Sequence, residues 1–200
     1  MRGKVVGITG PSGAGKSEVA AVFGEMGAAV FDGDRAAHDF MMPGQPCFDE
    51  VVAEFGDGIL SDGRIDRKKL GEIVFGNRAN LVRLTNITNE YLFNAAAQAA
   101  RMEEYGCRLI VLDAAVLFEA GLHELCDHTI GVFASENTRL GRIVARDNIA
   151  PEAARARMGS QTGQSEIAGR VDFAIENDGD RDELVGNVRE IIGKIMGEGA

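Results

Sequence analysis

Positive charge is in short supply in this 200-residue chain: 21 lysines and arginines stand against 31 aspartates and glutamates, for a formal net charge of −10. Nucleic acids and membrane surfaces both select basic partners, so neither is expected to bind this chain in general, although a local basic pocket stays open. Cysteine is scarce as well. Cys47, Cys107 and Cys126 are odd in number and widely spaced, with no C-x-x-C. Neither a zinc site nor a disulfide framework is indicated, and reduced thiols are expected. No apolar run approaches the length of a membrane span. The first residues lead straight into a strand, without the basic leader and apolar run of a signal peptide. There is no internal repeat and no low-complexity linker. These absences lead to the expectation of a soluble cytoplasmic protein with no obligate protein partner evident. Hydrophobic residues make up 45% of the chain, enough for one well-buried core with small inserted subdomains.

What is present is concentrated near the start. Gly10-Pro11-Ser12-Gly13-Ala14-Gly15-Lys16-Ser17 fits G-x-x-x-x-G-K-[ST], the phosphate-binding P-loop. Val5 to Thr9 read as a short buried strand before it, and Ser17 to Met26 as a helix after it, with Val19, Ala20, Val22 and Phe23 apolar. Glycines let the backbone curl so that several N–H groups point at phosphate oxygens, and the helix start adds free N–H groups and a positive dipole end. In such a loop Lys16 reaches the β- and γ-phosphates and the Ser17 hydroxyl ligates Mg²⁺. A nucleoside triphosphate site is expected here.

The rest of the chain supplies candidates for the other half of a reaction. Gly27 closes the first helix, and Ala28 to Phe31 read as a second strand ending in Asp32-Gly33-Asp34. Carboxylates at the carboxyl end of a strand sit where open α/β sheets collect ligands. Asp34 therefore reads as a general base or a group holding a substrate hydroxyl, or else as the N-cap of the next helix. Helices are expected over Arg35 to Met42 and Pro46 to Phe55, from Asp66 onwards, and from Asn77 to about Tyr105, with a turn at Ser61 to Arg64. The stretch from about 38 to 105 carries no obvious strand. Its length exceeds an ordinary crossover, which predicts a helical insertion over the second substrate. Arg108 to Asp113 is an apolar strand closed by an acid, as in the Walker B segment that holds Mg²⁺, unless Asp113 is only a turn residue. A helical turn is expected at Val116 to Leu122 and a fourth strand at Thr129 to Phe133. A helix from Glu136 to Arg146 carries Arg139, Arg142 and Arg146 three and four apart, on one face. Pro151 opens another helix. Five arginines against two acids give a local net of +3 between Arg139 and Arg157. They read as a lid that neutralises phosphoryl charge, or as a solvated helix with scattered ion pairs. Arg170 to Glu176 read as a last strand, and a helix with Leu184, Val188, Ile191, Ile192 and Ile195 closes the fold. His38 lies four residues after Asp34 and could face the same cleft, or serve only as a surface or packing histidine. His123 and His128 stand out in no way.

Together these segments resemble dephospho-coenzyme A kinase over nearly the whole chain. The resemblance rests on Gly7-Ile8-Thr9-Gly10 into the P-loop, Val30 to Asp34 with Ala37-His38, Phe55-Gly56, Ile59-Leu60, Asp66-Arg67 with Leu70, and Val74-Phe75. It continues through Leu117-Phe118-Glu119-Ala120-Gly121-Leu122, Arg142 with Arg146-Asp147, Arg157 with Gln161, and Asp172-Phe173 with Asn177. It implies a P-loop three-layer α/β/α fold with a five-stranded parallel sheet, and ATP-dependent phosphorylation of the ribose 3′-hydroxyl of dephospho-coenzyme A. The core would comprise 1–37, 106–138 and 168–200, with the acceptor-binding insertion at 38–105 and the lid at 139–167. Asp34 would be the base, with Lys16 and Arg142 the other catalytic groups. Gly13, Ala14, Gly15, Lys16, Ser17, Glu18, Arg146 and Asn177 would bind the nucleotide, and Ser17 and Asp113 the metal. The sequence departs from the family pattern at Asn89-Glu90, where a His-Pro pair is usual, and at Ala114-Ala115-Val116, where a proline is usual. The rival readings are another small-molecule P-loop kinase, for a nucleoside or nucleoside monophosphate, and a guanine-nucleotide switch. The switch would require Asp-x-x-Gly after the third strand and Asn-Lys-x-Asp later. Asp113 is followed by Ala114-Ala115-Val116, and no Asn-Lys-x-Asp occurs.

Overall fold

A computed structural model describes residues 3–75, 77–101, 106–159 and 163–197. The expected end of the long helix near Tyr105, and Gln161, lie outside the described residues. Five parallel strands form the central sheet: β1 (Lys4–Thr9), β2 (Ala29–Asp32), β5 (Leu109–Asp113), β6 (His128–Phe133) and β7 (Phe173–Glu176), in the order β2-β5-β1-β6-β7. The register pairs Ile8 of β1 with Asp113 of β5, and Asp113 in turn with Asp32 of β2. The acid ends of β2 and β5 therefore lie side by side at the carboxyl edge of the sheet, next to the loop that leaves β1.

Alternation along the strands divides their side chains between two faces. Val6 and Ile8 of β1 and Leu109 and Val111 of β5 pack on one face, against α1 (Lys16–Glu25) and α9 (Arg181–Met196). Val5, Ile110 and Leu112 face the other way. They meet Leu92 and Ala96 of α5 (Arg78–Ala100) and the loop residues Leu117 and Leu122. The result is helix, sheet and helix in three layers. Carboxylates at the sheet's margin tie strand starts together: Asp172 accepts from the Thr129 N–H at 2.7 Å and from its hydroxyl at 2.9 Å, and Asp127 accepts from the Val5 N–H at 2.8 Å. These bonds give Asp172 a structural role at the start of β7.

Between β2 and β5 the chain forms α2 (Gly33–Phe40), α3 (Pro46–Phe55), a 3₁₀ turn (Asp57–Ile59), a hairpin, α4 (Arg67–Phe75) and α5. This segment has a small core of its own in Cys47, Val51, Ile59, Leu70 and Val74. The hairpin corrects the expectation that no strand occurs there: β3 (Leu60–Ser61) pairs antiparallel with β4 (Arg64–Ile65) around Asp62 and Gly63, both at positive φ. The N-cap of α2 is Asp32 and not Asp34. Asp32 accepts the Arg35 N–H at 2.9 Å, which leaves the Asp34 side chain available for other contacts. The last strand starts at Phe173, later than Arg170, because the chain first makes α8 (Gln164–Ala168) and a turn. The Val116 to Leu122 stretch is a run of turns, and its 3₁₀ helix spans Leu122–Leu125. Among the described residues no helix is long and apolar enough to cross a membrane.

Phe23 is fully buried between α1 and the sheet. Phe23→Ala should cost about 3–5 kcal/mol of unfolding free energy, read from urea denaturation. A loss under about 1 kcal/mol would contradict the packing described.

Candidate active site

The P-loop leaves β1 at Gly10 and enters α1 at Lys16. Two of its glycines are fixed by geometry. Gly13 has φ 81° and Gly15 φ 90°, where side chains are strained. A Cβ on Gly15 would lie 2.2 Å from Asn177 Nδ2, and one on Gly13 would lie 2.7 Å from the Arg139 carbonyl oxygen. The loop is thus pressed between the turn after β7 and the start of α6 (Glu136–Asp147).

Neighbouring groups hold its carbonyls. Asn177, 3% exposed, donates from Nδ2 to the Ala14 carbonyl at 2.9 Å, and its own N–H donates to the Phe133 carbonyl at 2.7 Å. Arg139, 7% exposed, donates from Nε to the Ser12 carbonyl at 3.0 Å. Arg142 donates from Nη1 to the Ala14 and Gly13 carbonyls at 3.2 and 3.4 Å. These donors satisfy the Ser12, Gly13 and Ala14 carbonyls. α6 reaches this position because Ser135 caps it, accepting the Thr138 N–H at 3.3 Å, and because Asp178 accepts the Ser135 N–H at 2.9 Å.

The three arginines of α6 do not share one task. Arg139 turns inward with fully buried Ile143, four residues on, and braces the loop. Arg142 and Arg146 line a cavity of about 760 Å³ together with Arg157 of α7 (Pro151–Gly159). Arg146 also contacts Ser12 Oγ at 3.5 Å. Asp147 receives Arg146 Nε at 2.8 Å and is also paired with Arg157. Hydrogen bonding from Arg146, with Arg157 nearby, holds the Asp147 carboxyl below the usual carboxylate range.

The cavity floor is Gly10 to Gly13 with Gly15, Lys16, Ser17 and Glu18, and its far wall is Asp34 and Ala115. Ala14, Asp113 and Asn177 stand behind this surface and are all buried. Lys16 is the pivot. Its Nζ donates to Asp113 Oδ1 at 2.6 Å and to Asp34 Oδ2 at 3.3 Å. Burial works against the Lys16 charge, but Asp113 and Asp34 outweigh it and raise its pKa above the ordinary lysine value. Burial lifts the Asp113 carboxyl above the usual range, while Lys16 pulls it back. Asp34 is more than half exposed and also accepts the Ala115 N–H at 3.3 Å. The Ala115 carbonyl in turn accepts the buried Thr9 hydroxyl at 3.4 Å.

The expected catalytic groups Lys16, Asp34 and Arg142 therefore border one cavity, with Ser17, Glu18 and Arg146. Asn177, expected among the nucleotide-binding residues, acts in this structure on the loop backbone. Arg139 and Thr9 were not singled out as individual supports by sequence reasoning, since a buried brace leaves no spacing signature. At the departures from the family pattern, Asn89 Nδ2 donates to the Glu119 carbonyl at 3.1 Å and joins α5 to the Leu117–Leu122 stretch. Burial pushes the Cys126 thiol up to about 12 and Cys47 up to about 11, so neither offers a thiolate at neutral pH. Among the described residues, no three His, Cys, Asp or Glu side chains are placed to hold a metal ion by themselves.

Gly15→Ala would drive a Cβ into Asn177 at a strained φ. It should weaken ATP binding by about tenfold or more and destabilise the fold by roughly 1–3 kcal/mol, measured by calorimetric titration and thermal unfolding. Wild-type affinity in that variant would contradict the packing of the loop.

Comparisons with known proteins identify the family. The family model described as dephospho-CoA kinase matches residues 4–183. A dephospho-CoA kinase of Carboxydothermus hydrogenoformans is 39% identical over 177 residues, which cover 88% of this chain and 86% of that protein. A crystal structure from Thermus thermophilus superposes with a TM-score of 0.78 at 26% identity, covering 100% of both chains. The dephospho-CoA kinase from Campylobacter jejuni gives a TM-score of 0.68 at 26% identity, covering 96% of each chain. The chain belongs to the dephospho-CoA kinase family.

Proposed function

We propose that the protein transfers the γ-phosphoryl group of ATP to the ribose 3′-hydroxyl of dephospho-coenzyme A, the last step of coenzyme A synthesis. The observation that carries this reading is the carboxylate of Asp34, exposed at the cavity wall and 3.3 Å from the P-loop lysine. A base in that place stands between a triphosphate on the loop and an acceptor approaching from the α2–α5 side. The family membership supplies the identity of the acceptor.

Phosphoryl transfer asks chiefly for alignment and for neutralised charge. The P-loop N–H groups and Lys16 hold the β- and γ-phosphates. To reach them, Lys16 turns from its carboxylate partners toward the stronger anion. Asp34, released from the ammonium, accepts the hydrogen of the 3′-hydroxyl and orients its oxygen for in-line attack. The new bond joins that oxygen to the γ-phosphorus, the bond to the β-γ bridging oxygen breaks, and ADP leaves with the electron pair. The hydroxyl proton ends on Asp34 or passes through it to water. Arg142 leaves the Gly13 and Ala14 carbonyls to face the equatorial oxygens, with Arg146 beside it. Closure of the segment from 139 to 167 keeps out water, the competing acceptor.

Mg²⁺ is part of this reading. The donors fit it: Ser17 Oγ at the cavity surface and Asp113 just behind are hard oxygen groups, and Mg²⁺ takes its remaining ligands from phosphates and water. When bound, the ion would be held by Ser17 and Asp113 and would offset the negative charge of the phosphates. We place the protein in the cytoplasm. The free cysteines and the lack of a spanning helix among the described residues support that placement.

Asp34→Asn keeps the shape and removes the base. Turnover with dephospho-coenzyme A should fall by about 10²–10⁴-fold, while the calorimetric Kd for ATP stays within about threefold of wild type. Near-normal turnover in that variant would remove Asp34 from the role of base.

A further inference from the structure

Asp147 has no part in the mechanism above, and it does not line the cavity. It meets two residues that do, Arg146 and Arg157. Along α6 it follows fully buried Ile143 by four residues and so lies on the same side of the helix. The helix stops there. Asn148 takes the left-handed conformation at φ 50° and ψ 46°, which asparagine tolerates better than most side chains, and the chain turns back into α7 at Pro151. Ala154 of α7 is fully buried, and Arg157 follows it by three residues on the same side. The return brings Arg157 onto Asp147, ten positions away in sequence.

The carboxylate is shared between the two helices. Its Oδ1 accepts from Arg146 Nε at 2.8 Å, and its Oδ2 accepts from Arg146 Nη2 at 3.0 Å and from Arg157 Nη1. The two bonds to Arg146 make a bidentate fork, which fixes the plane of the guanidinium as well as its place. They use one edge of that group and leave Nη1 on the other. The side chains of Arg146 and Arg157 are 60% and 50% exposed. Without a partner, side chains of this length spread over many rotamers. Charge alone argues against an acid here, because a carboxylate beside a triphosphate cavity offsets the cations that attract the ligand. The geometry of the arginines accounts for it instead.

We propose that Asp147 is a positioning residue for the phosphate donor: it holds the guanidinium groups of Arg146 and Arg157 as a pair, ready to meet the triphosphate on the P-loop. This rests on the reading of the cavity as the ATP site. Asp147 touches no ligand itself and acts through the two arginines. The held position is already at the loop, since Arg146 Nη2 lies 3.5 Å from Ser12 Oγ. Ordering the pair beforehand removes the cost of ordering it when the nucleotide arrives. One carboxylate serves both helices, so the arginines of α6 and α7 come to the phosphates as a unit.

The test is calorimetric titration of the full chain with ATP, joined to steady-state kinetics with each substrate varied in turn. Charge and positioning predict opposite signs. Asp147→Asn keeps the size of the side chain and removes a negative charge, so charge alone would tighten ATP binding. Positioning predicts that ATP binds about 5–30-fold more weakly, with a rise in KM for ATP and an acceptor KM near wild type. In a background of Arg146→Gln with Arg157→Gln, the same Asp147→Asn change should cause no further loss, because the groups it acts through are gone. Wild-type or tighter ATP binding in Asp147→Asn would overturn the proposal. So would an equal rise in both KM values, the mark of a structural role, or an undiminished loss in the background without the arginines. Should Asp147→Asn fail to fold, Asp147→Glu decides: it keeps the charge and displaces the fork by one methylene. Weaker ATP binding there supports the proposal, and wild-type binding overturns it. Failure of the wild-type protein to bind ATP would strike the underlying reading, and is seen before any variant is made.

Discussion

The ammonium group of Lys16 holds this structure's working end together. It is buried, it lies 2.6 Å from Asp113 and 3.3 Å from Asp34, and those three residues come from three different segments. Parallel pairing of β1 with β5 and of β5 with β2 brings their carboxyl ends into line, and only then can one lysine meet both acids. Removing a charge from water is costly unless it is paired. The sheet order and the charge balance of the site therefore depend on one another. The same pairing prepares the site for a ligand. In the proposed reaction a bound triphosphate offers Lys16 more negative charge than the two carboxylates do, and the turning away of Lys16 would leave Asp34 to face the acceptor.

Around this pivot, the supports act on backbone atoms. Asn177 and Arg139, neither of which lines the cavity, take the Ala14 and Ser12 carbonyls of the P-loop. Asp32 caps α2, so Asp34 in the first turn is spared that task. Thr9 and Ala115 then steady its carboxylate from β1, through the backbone of one residue. These contacts limit how far Asp34 can move relative to the loop. In phosphoryl transfer such limits matter, since positioning supplies much of the rate.

Much of this was legible in the sequence because it is local. A glycine loop between an apolar strand and a helix, and apolar strands closed by Asp32 and Asp113, are patterns within a few residues of one another. The long segment between β2 and β5 was also plain from its length. What stayed hidden is non-local or short. Asn177 reaches Ala14 across 163 positions of sequence, and nothing near either residue signals it. The hairpin at 60–65 has two residues in each strand, too few for an alternation to show, and only the Asp62-Gly63 turn marks it. Spacing three and four apart put Arg139, Arg142 and Arg146 on one face. The structure separates them because Ile143 beside Arg139 is the residue that packs, and the helix rolls to bury it. Either acid of Asp32-Gly33-Asp34 could cap a helix, and the start of α2 at Gly33 decides for the first.

The central claim is that Asp34 stands between donor and acceptor, so that the phosphoryl group moves to a ribose hydroxyl and not to water. Its most direct test is the structure of the product formed from ATP and dephospho-coenzyme A, read by phosphorus NMR with adenosine and nucleoside monophosphates as parallel acceptors. The account predicts a new phosphomonoester on the ribose 3′-oxygen of dephospho-coenzyme A, in step with ADP release and in preference to the other acceptors. ADP and free phosphate with no phosphorylated acceptor, or preferred transfer to a nucleoside monophosphate, would contradict it.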